Sequence, residues 1–348
     1  MQDTLYVKID KENILQEIIV DLPKYEVHID KSQIGNSNEE RLKYNILAVA
    51  RKNSFVKKFI IELANNGFFL VDHNINTGIS IFRSLRKHEE FIHSFRDENV
   101  LLWNKIYYTL EEPIFLGTIE RSSNRLLVIF SSIADFPLNA SISRRSFYKN
   151  WIKVQSYIPK NTYILRIADI GGVLGSFYLN SNFDSKFESR IQLLIENISN
   201  EYSIKKNNII LFGGSKGGTG ALYHGVIGDY NAVAVDPIVS DRYYIDKFND
   251  LHFVQGGFPV DKDKKFFDLF KERYDLMNIN VITSQNSQQF EYINKIITKK
   301  SNINLFVFNN SNIKTHPDVG PQTLIFSTTL INSIYYNIYN YRSFETEY

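Results

Sequence analysis

The chain has 348 residues, 43% of them apolar and with 26 Phe and 21 Tyr, so it can bury a large core and is not a disordered chain. Its 40 basic and 38 acidic residues give a formal net charge of +2, which does not call for a nucleic-acid partner. Cysteine is absent, which excludes disulfides, thiolate metal sites and a Cys nucleophile.

Residues 1–118 are predicted to form a smaller N-terminal α+β region. Residues 56–65 are amphipathic at helical spacing, and Asn65, Asn66 and Gly67 after them favour a helix end. The apolar run 68–71 that follows is typical of a strand. No catalytic motif occurs in this region, so we expect an accessory role in binding a partner or the substrate.

Residues 119–348 are predicted to form an α/β domain with a mostly parallel, doubly wound sheet. Six short apolar runs read as buried parallel strands, and helical patterns separate them. The runs are residues 126–130, 163–168, 208–212, 232–235, 280–283 and 304–308. Residues 237–278 are too long for a simple crossover, which favours a lid or a substrate-binding insertion there.

The chemistry centres on a G-x-S-x-G pattern formed by Gly213, Ser215 and Gly217, directly after a predicted strand and before a predicted helix. This context is that of a nucleophile elbow, in which the serine occupies a strained turn and small neighbours prevent collisions. The pattern therefore predicts an α/β-hydrolase-type domain with Ser215 as nucleophile. By the general rule, the N–H of the next residue, Lys216, is one oxyanion donor.

Other readings of the glycine-rich turn fit less well. A phosphate-binding loop needs a Lys-Ser or Lys-Thr pair after the last glycine, and Ala221 and Leu222 stand there instead. The dinucleotide pattern G-x-G-x-x-G also fails, because the second residue after Gly213 is not glycine. A tight glycine turn that only packs a helix on a sheet stays open as an alternative.

His316 lies in the loop after the last predicted strand, where an α/β-hydrolase places its general base. The sequence offers more than one candidate for the residue that orients the His316 imidazole. Asp236, after the strand that follows the elbow, is narrowly favoured over Glu291, and Asn286 could orient the imidazole through its amide oxygen. Asp236 could equally cap the turn before Pro237.

Two further loops end at the same edge of the predicted sheet. Ser132, after the first core strand, is the expected second oxyanion donor. Asp169 and Gly172, after the second core strand, are expected to shape the substrate pocket, since ligands bind beyond the carboxyl ends of such strands. The alternative interpretation is that Asp169 caps its own turn. No metal site is expected.

Several segments together resemble the XcbB/CpsF family of bacterial capsular polysaccharide biosynthesis proteins, over roughly two thirds of the chain. The segments are residues 65–69, 126–132, 145–148, 164–169, 175–180 and 213–222. The strand and elbow pattern is also similar to the second accessory Sec protein, whose α/β-hydrolase-like domain is associated with O-acetylation of glycans on exported adhesins. The lack of an aspartate after the fifth core strand departs from that pattern.

The resemblance implies a cytoplasmic step in making or modifying a capsule, with Ser215 as nucleophile and His316 as base. The leading hypothesis is transfer of an acyl group, such as acetyl from acetyl-CoA, through acyl-Ser215 to a glycan hydroxyl, without a bound cofactor. A serine esterase acting on a glycan or lipid-carrier ester, and a non-catalytic scaffold of the capsule assembly complex, are the alternatives. Partners would be the capsular glycan and capsule-assembly proteins.

The sequence shows neither a secretory signal at residues 1–10 nor the roughly 18 uninterrupted apolar residues of a membrane span. We therefore expect a cytoplasmic location, either free or peripheral to the inner face of the membrane.

Overall fold

The computed structural model describes residues 4–9, 25–114, 124–134, 139–272, 278–297 and 303–337. The strands are β1 (Thr4–Lys8), β2 (Glu26–Asp30), β3 (Phe68–Asn74), β4 (Ile79–Ser84), β5 (Leu101–Trp103), β6 (Ile106–Glu111), β7 (Arg125–Phe130), β8 (Thr162–Ile167), β9 (Ile209–Gly214), β10 (Asn231–Val235), β11 (Ile279–Ser284) and β12 (Ile303–Phe308). The helices are α1 (Ile46–Ala50), α2 (Ser54–Asn65), α3 (His88–Phe91), α4 (Ile142–Ser146), α5 (Phe187–Glu201), α6 (Lys216–Gly228), α7 (Arg242–Phe248), α8 (Lys262–Glu272), α9 (Phe290–Ile297), α10 (His316–Gln322) and α11 (Leu324–Tyr335).

The larger sheet has the order β12-β11-β10-β9-β7-β8-β6-β5. All pairs among β7–β12 are parallel, while β6 runs antiparallel to β8 and β5 antiparallel to β6. The six predicted core strands and the mostly parallel sheet are thereby confirmed.

Helices cover both faces of this sheet, as the doubly wound prediction requires. On one face α5, α6, α8 and α9 pack against alternate side chains of the strands. On the other face α10, α11 and residues 151–158 pack against the remaining side chains. Because β7–β11 are buried on both faces, their sequences are largely apolar rather than alternating, with Arg166 in β8 and Asn280 in β11 among the buried polar exceptions. The α/β-hydrolase-type fold class is therefore confirmed.

The connections of the sheet reverse direction next to β7. From β7 the chain moves to β8 on one side, and then β9, β10, β11 and β12 follow in order on the other side. The carboxyl ends of β7 and β9 therefore lie side by side at the point of reversal. Ligands of open α/β sheets bind at such a point, because the two adjacent loops diverge and leave a crevice.

The N-terminal residues form the second sheet, with the order β1-β2-β4-β3, and α1 and α2 pack on it. Helix α2 and strand β3 occur where the sequence places them, and this region is a mixture of helix and strand. The division between the two sheets falls between Ser84 and Leu101, since β5 and β6 extend the larger sheet. The domain boundary at 118/119 stays a prediction. Residues 115–123, around the predicted boundary, lie outside the described residues.

Residues 237–272, the described part of the predicted insertion, contain α7 and α8 and pack against the N-terminal region. The Lys57 ammonium on α2 donates to the carbonyls of Asn249 and Asp250, and Asn65 Nδ2 donates to the Gly256 carbonyl at 2.9 Å. The side chain of Phe253 joins the N-terminal core. A lid function for this segment stays a prediction. In the described part of the chain, no helix is long and apolar enough to cross a bilayer.

Candidate active site

Ser215 stands between β9 and α6, in a backbone conformation that few side-chain-bearing residues adopt. Its φ of 56° and ψ of −121° lie outside the ordinary regions, which costs of order 1–3 kcal/mol and is found mostly at functional sites. The Ser215 N–H donates to the Val235 carbonyl of β10 at 2.9 Å and so fixes the turn to the sheet. The residue is half-buried.

The glycines around Ser215 are required by close backbone contacts. A Cβ on Gly217 would lie 2.1 Å from the Phe130 carbonyl oxygen, and one on Gly213 would lie 2.3 Å from the Gly217 carbonyl oxygen. Both distances are far below van der Waals contact, and backbone atoms cannot give way as a flexible side chain can. The G-x-S-x-G pattern therefore reflects the approach of α6 to β7 and β9.

His316 contacts the serine directly. Its Nε2 lies 2.7 Å from Ser215 Oγ. His316 is the first residue of α10, whose start is fixed by a capping box between Thr315 and Asp318. The His316 N–H also donates to Gln288 Oε1 at 2.8 Å. The backbone that carries the imidazole is thus held on two sides.

Asp236 contacts the other nitrogen of the same imidazole. It follows β10 directly and is 2% exposed, and its Oδ2 lies 2.6 Å from His316 Nδ1. Thr283 Oγ1 donates to Oδ1 at 2.6 Å, and Ser287 Oγ donates to Oδ2. A carboxylate at Nδ1 keeps the proton on that nitrogen, which leaves Nε2 free to accept the proton of Ser215.

The other two candidates for the acidic position lie elsewhere. Glu291 is exposed in the first turn of α9, and no described hydrogen bond or ion pair joins it to His316. Asn286 Nδ2 donates to the Ile313 carbonyl at 2.8 Å, so this side chain holds the loop before α10. Of the three candidates, the structure brings only Asp236 to the imidazole.

The structure does not expose Asp169 to a substrate, because the side chain is fully buried and its partners are all internal. Its carboxylate accepts from the N–H groups of Ser176, Phe177 and Tyr178 and from the Ser176 hydroxyl. It also forms an ion pair with Lys216 Nζ at 2.9 Å. These contacts fit the alternative interpretation, in which Asp169 caps its own turn.

Gly172 is also closed off from a substrate. A Cβ on it would lie 2.6 Å from the Gly175 carbonyl oxygen and 3.3 Å from the Phe258 ring of the insertion. The glycine therefore allows close packing of two backbone segments under the insertion. The predicted role of Gly172 in the pocket has no support in this arrangement.

The two predicted oxyanion donors differ in availability. Lys216 is the first residue of α6, and the first N–H groups of a helix have no partner within the helix. Its side chain points away into the interior, where burial lowers the pKa of the ammonium although Asp169 opposes this. The Ser132 N–H, in contrast, donates to Asn150 Oδ1 at 2.9 Å, and the Ser132 hydroxyl donates to the Gly214 carbonyl at 2.9 Å. Ser132 is therefore not a free donor here.

His224, on α6, contributes to packing rather than to the site. Its ring is fully buried and stacks on Phe130, and its Nε2 donates to the Tyr178 carbonyl at 2.8 Å. Gln192 Nε2 donates to Nδ1 at 2.9 Å. Burial lowers the pKa of His224 to about 4, so the imidazole is neutral at neutral pH.

Sequence patterns did not identify four residues that support the site: Thr283, Ser287, Gln288 and Asn150. The first three follow or end β11 and lie next to the position where an acidic residue was sought. A cluster of hydroxyl and amide side chains after a buried strand is the signal that could have found them, because a buried carboxylate needs such donors.

Neither a protein-family profile nor a curated protein matches the sequence. Among solved structures, the capsule O-acetyltransferase of Neisseria meningitidis serogroup A is similar at 18% identity and a TM-score of 0.49, over 67% of this chain and 93% of that one. The Gap123 glycosylation-associated complex of Streptococcus agalactiae is similar at 14% identity and a TM-score of 0.48, over 72% of this chain and 47% of that one. The serine hydrolase FphF of Staphylococcus aureus is similar at 12% identity and a TM-score of 0.47, over 68% of this chain and 94% of that one. Identities and TM-scores this low assign neither a family nor an activity to the chain.

Proposed function

We propose that the protein is a serine acyltransferase that transfers an acyl group, acetyl in the simplest case, to a hydroxyl of a capsular glycan. The observation that carries this is the continuous chain from Ser215 Oγ through His316 to Asp236, with separations of 2.7 and 2.6 Å. A serine hydroxyl is a weak nucleophile on its own, and an adjacent base that removes its proton is what activates it. The glycan acceptor is proposed from the sequence resemblance to capsular polysaccharide biosynthesis proteins.

In the first step, His316 Nε2 takes the Ser215 proton while Oγ attacks the donor carbonyl, for example the thioester of acetyl-CoA. The carbon–sulfur bond then breaks, and the leaving thiolate takes the proton back from His316. In the second step a sugar hydroxyl gives its proton to Nε2 and its oxygen attacks the carbonyl carbon of acyl-Ser215. The bond between that carbon and Oγ breaks, and the protonated imidazole returns the proton to Oγ. Asp236 holds the imidazole in one tautomer and stabilises its charged form throughout.

A serine esterase is the second candidate, and a specific observation favours it. Ser215 and His316 are both partly exposed, so the site is not closed off from solvent. Transferase and esterase use the same first step and differ only in which hydroxyl group completes the second. Whether residues 237–278 exclude water during turnover would decide between them.

Labelling with a fluorophosphonate probe tests the shared first step. We expect labelling of the wild type and none of Ser215→Ala, with Asp268→Asn, on the exposed surface of α8, as a control that labels normally. Absence of Ser215-dependent labelling would favour the scaffold reading and would overturn both enzymatic ones.

Incubation of the protein with acetyl-CoA and capsule oligosaccharide then separates the two enzymes. A gain of acetyl groups on the oligosaccharide, dependent on Ser215, is the result expected of the transferase. Release of free acetate without acetylated sugar would identify the esterase instead.

A further inference from the structure

Asn150 contacts the loop after β7, which is the loop from which an α/β-hydrolase supplies its second oxyanion donor. The Ser132 N–H, which follows β7 and would be that donor, is already bonded to Asn150 Oδ1 at 2.9 Å. Because a backbone N–H can only donate, the atom that faces it must be the amide oxygen. The orientation of the Asn150 side chain is thereby fixed, and its Nδ2 group, with two N–H donors, points away from Ser132.

Nothing in the described part of the chain accepts a hydrogen bond from Asn150 Nδ2, although the residue is only half-buried. The amide lies close to the elbow, because Ser132 connects it to the residue before the nucleophile. The Ser132 hydroxyl donates to the Gly214 carbonyl at 2.9 Å, so two hydrogen bonds link the Asn150 amide to Gly214. The ring of Trp151, the next residue, packs on Phe212 with 4.2 Å between ring centroids.

The backbone of Asn150 and Trp151 is held by hydrogen bonds from Arg166. Arg166 is 2% exposed, and its guanidinium donates to the carbonyls of Asn150 and Trp151 at 2.5 and 3.3 Å. Its Nε donates to Glu111 at 2.7 Å. Trp151 has a φ of 51°, a conformation that is unfavourable for a bulky side chain and persists only where the surroundings impose it. The buried Arg166 guanidinium, whose ion-pair partner Glu111 is partly exposed, and the strained backbone of Trp151 thus fix the backbone of Asn150.

We infer that the Asn150 side-chain amide, in place of the Ser132 N–H, is the second oxyanion donor of the site. Together with the Lys216 N–H it would stabilise the negative oxygen that forms when Ser215 attacks an acyl carbonyl. A preorganised donor of this kind acts without reorganisation during the reaction, and loss of one such donor costs on the order of 10²–10³-fold in kcat. The inference rests on the proposed function, since it assumes attack by Ser215.

Two substitutions separate this role from a merely structural one. Asn150→Asp keeps an oxygen that accepts from the Ser132 N–H but removes the donor, whereas Asn150→Ala removes both. Asn74→Asp is the matched control, because Asn74 Oδ1 also accepts from backbone N–H groups, at 2.9 and 3.2 Å, in the N-terminal sheet. The measurements are kcat and KM for p-nitrophenyl acetate, the rate of fluorophosphonate labelling, and the unfolding midpoint, with rates expressed per folded molecule.

We expect Asn150→Asp and Asn150→Ala each to lower kcat by about 100-fold with KM within about threefold, and to slow labelling in parallel. The control should stay within about twofold of the wild type. Wild-type kcat in Asn150→Asp would overturn the inference, because an acceptor alone would then be sufficient. If the wild type and Ser215→Ala hydrolyse the ester equally, the proposed function itself fails, and the oxyanion site fails with it.

Discussion

Two buried aspartates follow strands of the larger sheet, Asp169 after β8 and Asp236 after β10. Their carboxylates have different kinds of partner. The Asp169 carboxylate accepts from the N–H groups and hydroxyl of its own turn and pairs with the Lys216 ammonium, which is fully buried. The Asp236 carboxylate accepts from two hydroxyls and contacts the imidazole of His316, which is half-buried and reaches Ser215. Both carboxylates have several hydrogen-bond partners, and of the two only Asp236 contacts a partly exposed side chain, that of His316.

The difference lies in the partner rather than in the aspartate. The buried Lys216 ammonium binds the Asp169 carboxylate and so joins helix α6 to the turn of residues 169–178. This ion pair therefore supports the fold. An imidazole accepts a proton at one nitrogen while the other keeps its hydrogen bond to the carboxylate, so that pair can support proton transfer. Lys216 and Ser215 are adjacent in sequence. The elbow therefore lies between two systems, the Asp169–Lys216 ion pair and the Asp236–His316 pair.

The largest effect should follow from Asp236→Asn, which removes the charge beside His316 and allows the wrong tautomer. We expect kcat for p-nitrophenyl acetate to fall by about 10³-fold or more, with little change in the unfolding midpoint. The exposed Asp268→Asn serves as the matched control. Activity near that of the wild type in Asp236→Asn would remove the basis for treating the two aspartates differently.

Asp169→Asn should act on stability instead. It leaves the Lys216 ammonium buried without its counter-charge, and we expect a loss of about 3 kcal/mol in the free energy of unfolding, measured in urea. Adding Lys216→Met should recover part of that loss, since no uncompensated charge then remains and the Lys216 N–H is kept. A double variant that is less stable than Asp169→Asn alone would contradict the assignment of the pair.

Gly217→Ala tests the elbow between the two systems. The new methyl group would meet the Phe130 carbonyl, so we expect a loss of about 2 kcal/mol in the free energy of unfolding and slower fluorophosphonate labelling. Gly320→Ala in α10 is the matched control, because a Cβ there meets nothing within 4 Å and alanine favours a helix. Equal stability of the two variants would show that α6 does not approach β7 this closely.

The smallest predicted effect concerns His224, which bonds to Tyr178 beside Asp169. Its pKa is lowered by burial from the ordinary value of 6.5 to about 4, so below pH 6.5 the unfolded chain binds the proton more readily. This contribution to stability is present above pH 6.5 and is lost as pH falls towards 4. We expect it to cost about 1 kcal/mol between pH 7.5 and 5.5, and His224→Gln to show a correspondingly smaller loss in urea unfolding. An identical pH dependence in the variant would contradict the neutral, buried state.

The sequence predicts features that depend on local spacing. Ser215 could be placed because the strand, the glycines and the helix that form the elbow are consecutive in the chain. The buried strands could be placed because their apolar runs are short and bounded by polar segments. Strands β5 and β6 were assigned to the N-terminal region because an antiparallel edge pair carries no signal for the sheet it joins.

Features that depend on distant partners are predicted poorly or not at all. The sequence favours Asp236 over Glu291 only narrowly, because the Thr283 and Ser287 hydroxyls that bind its carboxylate lie about fifty residues further along the chain. Asp169 was predicted to shape the pocket and Ser132 to be an oxyanion donor because each follows a strand, yet burial and side-chain partners determine the contacts that they make. Such partners are visible only once the chain is folded.

The central claim is that Ser215 becomes acylated, and brief incubation with p-nitrophenyl acetate followed by acid quenching and peptide mass mapping tests it most directly. We predict one added acetyl group on the peptide that contains Ser215 in the wild type, much less in His316→Ala and none in Ser215→Ala. No acetylated peptide, or acetyl groups found only on lysines and equally in Ser215→Ala, would contradict the account.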